Sequence, residues 1–346
     1  SIDLWNLQYG KLSSFIETVL RRNKHAYHLK ELYQEWKTWR PDDRKVSENS
    51  IYAAVTRIED ALLWGRGTYI HRTAINIPHK LIGSAESWVL RRLKEDIPFI
   101  SSYGVFLALS AECIKANIPN DIALYTVMKM LSHPLLVYQR VPYIILDGVN
   151  SNRLPAPIVL ENFIKENGGN VSTHELYGYV VGKLFLKDFQ FQQLIYQIPN
   201  VLRLGDSGFI HVDNLNIDPD VVKGIISHTS SIAKREGHVS VIKVYEDKKL
   251  SCKIMGLDNP QGLYFLLQMH SNFSMELTFP GYPMINHESC ESINTLTESI
   301  LIYIKRKAAP CSYQELFDHF VDDLGYTYST VHYTLYHYNP YKYLSN

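Results

Sequence analysis

The chain has 346 residues, of which 46% are hydrophobic and 20% charged, so it can bury substantial cores and is not composed like a disordered protein. Its 35 basic and 35 acidic residues balance, which excludes a protein that is basic over its whole surface. Any electropositive surface that binds nucleic acid must therefore be confined to one region.

Cysteine spacing and hydropathy exclude other classes of protein. The four cysteines are scattered, without the paired spacing of a zinc site, and their number does not call for an oxidising compartment. No apolar run reaches the roughly 18–20 residues of a membrane span, and the N-terminal residues do not form a signal peptide. We therefore expect a cytoplasmic protein without a membrane partner. The first residue is Ser1 rather than Met, so a trimmed or excised chain is expected.

The strongest signal is an internal repeat. Residues 16–32, 160–176 and 300–316 align without a gap, and each has an apolar helical stripe, a short polar or small turn and then Glu-Leu-aromatic. Residues 90–106 form a weaker copy, which keeps the apolar spacing but has Val105 in place of the Glu. The copies open four units, called one to four in chain order. Equivalent apolar positions of the repeat are expected to be buried, namely Leu20, Leu32, Ile164, Leu176, Ile304 and Leu316.

The segment after each copy also repeats. In unit one a helix is predicted at residues 47–59, with Ser47 and Asn49 able to cap it, before two short strands at 62–64 and 68–71. The matching helices and hairpins of the next two units are predicted at 122–131 with 135–146 and at 189–198 with 201–212. This is the order of a winged helix, in which the last helix holds the recognition position and the hairpin is the wing.

These patterns predict a mainly α protein with small β-hairpin wings, built of tandem winged-helix-like repeats plus a small α/β insert. The insert does not match the repeat, because residues 239–246 alternate like a strand, 260–270 read as an apolar helix and 275–285 as extended chain. Unit four stops at Asn346, where its first wing strand should turn back, and is expected to be incomplete. The predicted domains are unit one (1–80), unit two (81–152), unit three (153–216), the insert or spacer (217–290) and unit four (291–346).

At the entry of unit one, Asn23-Lys24-His25 followed by Lys30-Glu31-Leu32 resembles the HARE-type helix-turn-helix, a winged-helix module. Unit three is similar at Glu166-Asn167-Gly168-Gly169 and Glu175-Leu176, and the resemblance covers about half of the chain. It implies DNA-linked regulation or defence, in the neighbourhood of bacterial proteins that join such modules to sigma-factor-like or polymerase-associated regions. It does not imply particular base contacts, and no segment here reads as a sigma region.

The sequence contains none of the common nucleotide-binding, protease or hydrolase motifs, so neither an enzyme activity nor a cofactor is predicted. His25, His28 and Glu31 are spaced by three, but the equivalent positions of units three and four do not repeat the histidines. His332 and His337 are five apart, which does not place them on one helix face. Acidic pairs lie in loop-like segments without a following catalytic Lys. No metal site is therefore predicted.

Charge is distributed unevenly along the chain. Residues 1–80 hold 13 basic and 9 acidic residues, an excess of four positive charges, whereas 81–152 are neutral and the two later segments are slightly acidic. Cations beside the recognition position suit phosphates, and polar residues of the helix could reach base edges. The candidate nucleic-acid-binding residues are Arg40, Arg44, Lys45, Asn49, Ser50, Tyr52, Arg57, Arg66 and Arg72. The alternative is a solvated helix face whose cations serve solubility.

The leading interpretation is a non-catalytic DNA-binding regulatory or accessory protein that binds mainly through unit one. The recognition-position helices of units two and three carry almost no cations, which favours an architectural role, with a protein partner bound through units two to four. Two alternatives stay open: a protein–protein scaffold subunit of a larger complex, and the non-catalytic part of a longer nucleic-acid enzyme.

Overall fold

The structure is a computed structural model. It describes residues 2–76, 78–95, 97–148, 155–205, 208–270, 276–289, 295–307 and 309–338. Helices account for 60% and strands for 12%, and the strands form small antiparallel sheets, so the prediction of a mainly α protein with small hairpins is confirmed. Two compact bodies are present. One contains the residues up to Val159 with Tyr177–Tyr196, and the other contains Leu160–Leu176 with the residues from Gln197 onward.

Unit one packs its helices and a small sheet around one core. Its elements are α1 (Ile2–Tyr9), α2 (Leu12–Asn23), β1 (Tyr27–His28), α3 (Leu29–Trp39), α4 (Glu48–Val55), β2 (Ala61–Gly65) and β3 (Thr68–His71). The predicted hairpin is confirmed, and β1 adds to it in the order β1-β3-β2. Phe15, Leu20, Leu32 and Ile51 are fully buried, because the apolar stripes of α2, α3 and α4 face one another.

Unit two has the same sheet topology as unit one, but the chain between its first and second strands forms two short helices before the helix that precedes the hairpin. Its elements are α5 (His79–Leu93), β4 (Ile100–Ser101), α6 (Ser102–Ala108), α7 (Ser110–Lys115), α8 (Asp121–Leu131), β5 (Leu136–Tyr138) and β6 (Tyr143–Leu146). The sheet order is β4-β6-β5, so the central strand is again the second strand of the hairpin. The predicted helix and hairpin of this unit are confirmed.

Unit three follows the same element order. It contains α9 (Ala156–Asn167), α10 (Thr173–Tyr177), a π-helical segment at Gly178–Lys183, α11 (Asp188–Leu194), β7 (Val201–Arg203) and β8 (Phe209–His211). The predicted hairpin is confirmed, and a single bridge between Val171 and Phe209 stands where the other sheets have a third strand.

The segment predicted to be an unrelated insert has the element order of unit two, so that part of the sequence interpretation is wrong. It contains α12 (Pro219–Glu236), β9 (His238–Ser240), α13 (Val241–Asp247), α14 (Lys249–Ile254), α15 (Pro260–Met269), β10 (Leu277–Gly281) and β11 (Met284–His287). Its sheet order, β10-β11-β9, matches that of unit two. We keep the name insert for residues 217–290.

The strand predicted at residues 239–246 is mostly the helix α13. The pattern misled because Val241, Val244 and Tyr245 satisfy a helical period as well as an alternating one, and all three are buried. The Ser240 hydroxyl accepts the N–H of Ile242 and starts the helix.

Unit two and the insert also correspond residue by residue, at a separation of 139 (240 − 101). Ser101 and Ser240 both cap a helix, and Cys113 and Cys252 are both fully buried. Burial raises the pKa of each of these two thiols to about 11. The chain therefore alternates between two kinds of unit. Unit two and the insert are of one kind, and units one, three and four are of the other.

Unit four contains α16 (Leu296–Lys307), α17 (Tyr313–Phe317), a π-helical segment at Asp318–Asp323 and α18 (Tyr328–Tyr338). The end of the chain, where the first wing strand of unit four is predicted, lies outside the described residues. The predicted burial of all six repeat positions is confirmed, since each is at most 6% exposed.

Candidate nucleic-acid interface

The recognition-position helix of unit one, α4, has one buried and one exposed face. Ile51 and Val55 are buried in the core, whereas Asn49, Tyr52 and Thr56 lie on the solvent side, and Tyr52 is 54% exposed. The pKa of Tyr69 in β3 is raised, mainly by burial and further by Tyr52. Tyr52 therefore lies within electrostatic range of Tyr69 in the hairpin.

Five of the predicted cations are available to a ligand. Arg44 and Lys45 lie in the loop before α4, Arg57 lies after it, Arg66 is in the hairpin turn and Arg72 follows β3. All five are exposed, and within the part of the chain that the structure describes none of them forms an ion pair. The Asp43 carboxylate accepts the backbone N–H of Lys45 at 2.9 Å, which orders this loop and leaves the Lys45 side chain free.

Arg40 has a structural role, so its assignment as a phosphate contact is wrong. Its guanidinium donates to the carbonyls of Asn6, Leu7 and Gly10 at 3.0, 3.2 and 2.7 Å. It also lies 4.1 Å from the ring centre of Trp36. Burial lowers its pKa, and Asp43 partly offsets this. These contacts bind the end of α1 to the core, and partners about thirty residues away could not be read from local sequence.

Ser50 is likewise occupied, so its assignment as a base contact is corrected. Its hydroxyl accepts the N–H of Ser47 at 3.2 Å, while the Ser47 hydroxyl accepts the N–H of Ser50, which forms a capping box at the start of α4. His28 and Glu31 form a second capping box at the start of α3. Helix capping therefore explains the spacing of this pair.

The wing of unit one packs against α8 of unit two. Thr126 donates to the carbonyl of Leu63 at 2.7 Å, and the Asn120 amide donates to the carbonyl of Trp64 at 3.0 Å. The Asn120 carbonyl oxygen meanwhile caps α8 by accepting two backbone N–H groups. One side chain thus starts the helix and binds the wing. Strand β2 packs against α8, whereas Arg66 in the turn of the wing is exposed.

The same contact occurs between the wing of unit three and α15 of the insert. Asn259 caps α15 by accepting the N–H of Gly262 at 2.8 Å, and its amide donates to the carbonyl of Leu204 at 3.3 Å. The Arg203 guanidinium lies 5.5 Å from the ring centre of Phe265. Most residues of α8 and α15 are consequently buried or partly buried, and neither helix offers a free recognition face.

The recognition-position helices of units three and four are exposed but differ from α4 in chemistry. At the positions equivalent to Asn49, Tyr52, Ala53 and Thr56, unit three has Phe189, Gln192 and Gln193 in α11 and Tyr196 just after it. Unit four has Ser329, His332, Tyr333 and Tyr336 in α18. None of these eight side chains is Lys or Arg. Polar residues beside free cations are thus a property of α4.

Unit one also contains a group of side chains that sequence reasoning missed. Glu17 in α2, Asp60 before β2 and His71 at the end of β3 bring potential ligand atoms within 4.8 Å of one another. They are distant in sequence, so no spacing rule finds them. The signal that could have found them is the repeat, which places Glu17 opposite Glu161 and His71 opposite His211.

Among the described residues, no helix is both long enough and apolar enough to cross a membrane. No protein-family model matches the chain, and no curated protein matches it significantly. The resemblance of unit one to the HARE-type module therefore stays a prediction.

Proposed function

We propose that this protein is a non-catalytic DNA-binding regulatory or accessory protein, built of tandem winged-helix-like units, that binds duplex DNA mainly through α4 of unit one. One observation carries the proposal. Among the recognition-position helices that the structure describes, α4 alone is both exposed and flanked by several free cations.

In the proposed binding mode, some residues contact the DNA phosphates and others contact the bases. Arg44 and Lys45 precede the N-terminus of α4, where the helix dipole also favours a phosphate, and the turn residue Arg66 adds a further phosphate contact. Asn49 and Tyr52 point away from the core and face the base edges of the major groove. The edge of the wing takes no part, because α8 covers it.

The test is a fluorescence-anisotropy titration of one labelled duplex at about 50 and 200 mM salt. Wild type is compared with the variant Arg44→Ala/Lys45→Ala/Arg66→Ala. We expect weaker binding and a salt slope shallower by about 0.9 for each phosphate that the variant no longer neutralises. The control Lys305→Ala/Arg306→Ala/Lys307→Ala removes the same charge from unit four and should change affinity much less. Equal affinity of the first variant and wild type would remove unit one from the interface.

A protein scaffold is the second candidate, and the exposed aromatic residues support it. Phe189 and Tyr196 of the α11 segment are 57% and 68% exposed, and Tyr336 of α18 is 74% exposed. Aromatic residues are enriched in the cores of protein interfaces. If wild type binds no duplex at the lower salt concentration, the scaffold becomes the better account of the chain.

A further inference from the structure

The group formed by Glu17, Asp60 and His71 has the composition and burial of a metal-binding site. His71 is only 2% exposed, and its Nε2 has no hydrogen-bond partner among the residues that the structure describes. Thr73 holds the ring from the other side: its backbone N–H donates to Nδ1 at 3.3 Å, and its hydroxyl lies 2.8 Å from the same nitrogen. A cation at Nε2 requires the other tautomer, in which Nδ1–H donates to the Thr73 hydroxyl and Nε2 has a free lone pair. Metal-bound histidines are commonly oriented in this way.

Unit three has the same three positions, but there they form a closed hydrogen-bond network. The Asn200 amide donates to Glu161 Oε1 at 2.7 Å, and His211 Nε2 lies 3.3 Å from the same oxygen. The backbone confirms that Asn200 and Asp60 are equivalent. The N–H of Val212 donates to the Asn200 carbonyl at 2.9 Å, and that of Arg72 donates to the Asp60 carbonyl at 2.8 Å.

Unit one has Asp60 where unit three has Asn200, and this difference removes a hydrogen-bond donor from the site. In unit three the amide supplies a donor to the glutamate, and the second carboxylate, that of Asp213, lies on the other side of the ring, 3.8 Å from His211 Nδ1. In unit one Asp60 supplies no donor when ionised, so two carboxylates adjoin one buried imidazole, whose Nε2 has no hydrogen-bond partner among the described residues. Buried charges without compensation are costly, and a cation compensates both. Glu17 and Asp60 are half-buried, so the site is open to solvent on their side.

We propose that Glu17, Asp60 and His71 bind a divalent cation of the zinc class. Imidazole and carboxylate oxygens are ordinary ligands of Zn²⁺, and three protein ligands leave a fourth position for water. Two carboxylates also neutralise the charge of the ion. Bound there, the ion links α2 to the base of the hairpin and thereby stabilises the unit that carries α4. The proposal does not depend on DNA binding.

The test is a calorimetric titration of the full chain with ZnCl₂, using Asp60→Asn as the principal variant. This change installs the residue that unit three has at the same position, so the variant is expected to fold. We expect wild type to bind one more equivalent of Zn²⁺ than Asp60→Asn, or to bind it at least about tenfold more tightly. Saturating Zn²⁺ should also raise the melting temperature of wild type more than that of the variant.

The reciprocal variant Asn200→Asp serves as the matched control. It gives unit three the Glu, Asp and His of the unit-one group and should add a Zn²⁺ equivalent, whereas Asn200→Ala should not. Indistinguishable Zn²⁺ stoichiometry and affinity in wild type and Asp60→Asn would overturn the proposal. Binding of no Zn²⁺ by wild type would overturn it as well.

Discussion

Helices α4 and α8 occupy the same position in neighbouring units, yet one is exposed and the other is covered. In α4 only Ile51 and Val55 are buried, whereas six residues of α8 are. The difference comes from the neighbour, because the wing of unit one lies on α8 and is held there by Asn120 and Thr126. The position of a helix within its unit therefore does not decide whether that helix is exposed.

The amino-acid sequences of the two helices account for this difference in exposure. The α8 segment is apolar on most of its circumference, and such a helix is stable only when it is covered on several sides. The α4 segment alternates buried and polar positions and needs only its own core. Since α15 repeats the arrangement of α8, coverage by the preceding wing is a property of this kind of unit.

The largest expected effect on stability comes from truncating a buried side chain in the covered helix α8. Leu124 in α8 is fully buried, so Leu124→Ala should destabilise the protein by about 2–5 kcal/mol. Tyr52→Ala on the exposed face of α4 should change stability by less than about 0.5 kcal/mol. Urea denaturation of both variants measures the difference, with Leu32→Ala as a buried control in unit one. Similar small losses at Leu124 and Tyr52 would contradict the assigned coverage.

The contact between wing and helix can be separated from helix capping at Asn120. Asn120→Ala loses the cap and the bond to the wing, and should cost about 1–3 kcal/mol in urea denaturation. Asn120→Asp keeps an acceptor for the cap but loses the amide that donates to Trp64, so a loss of about 1 kcal/mol should remain. Asn259→Asp should behave alike in the insert. No loss from Asn120→Asp would show that the wing is held without this bond.

A smaller effect is expected on sequence discrimination. If Asn49 reaches a base edge, Asn49→Ala should lower discrimination between duplexes by about 1–3 kcal/mol at one base pair and leave stability within about 0.5 kcal/mol. Competition titrations with a set of single-base-pair variants measure this. A uniform loss across all duplexes would instead assign Asn49 to the phosphate backbone.

The smallest expected effect is on the pH dependence of stability, and it concerns unit four, which carries the exposed helix α18. Hydrogen bonds from Lys307 and from the Ser312 N–H lower the pKa of Glu315 to about 2. A lowered carboxyl pKa stabilises the fold above the ordinary value of 4.5, and this contribution is lost as pH falls from about 4.5 towards 2. Glu315→Gln should flatten that part of the pH–stability curve. Carboxyl NMR titration gives the pKa directly, and an ordinary value would contradict the assigned contacts.

The sequence predicted what is local and failed where partners are remote. The hairpins of units one to three, the cap at Ser47 and the six buried repeat positions follow from periodicity and turn chemistry. The strand prediction for residues 239–246 failed because the helical and the alternating period fit them equally. The structural roles of Arg40 and Asn120 depend on carbonyls about thirty and fifty-six residues away, which no local pattern reveals. The Glu17–Asp60–His71 group was missed for the same reason.

Hydrogen exchange with and without duplex DNA tests the central claim most directly, because it compares the exposed and covered helices in one experiment. We predict that DNA slows exchange in peptides that span residues 41–57, including the loop with Arg44 and Lys45. Peptides within residues 121–131 and 260–269 should exchange slowly in both states, because wings already cover α8 and α15. Protection by DNA in either of those helices, with none at residues 41–57, would contradict the account.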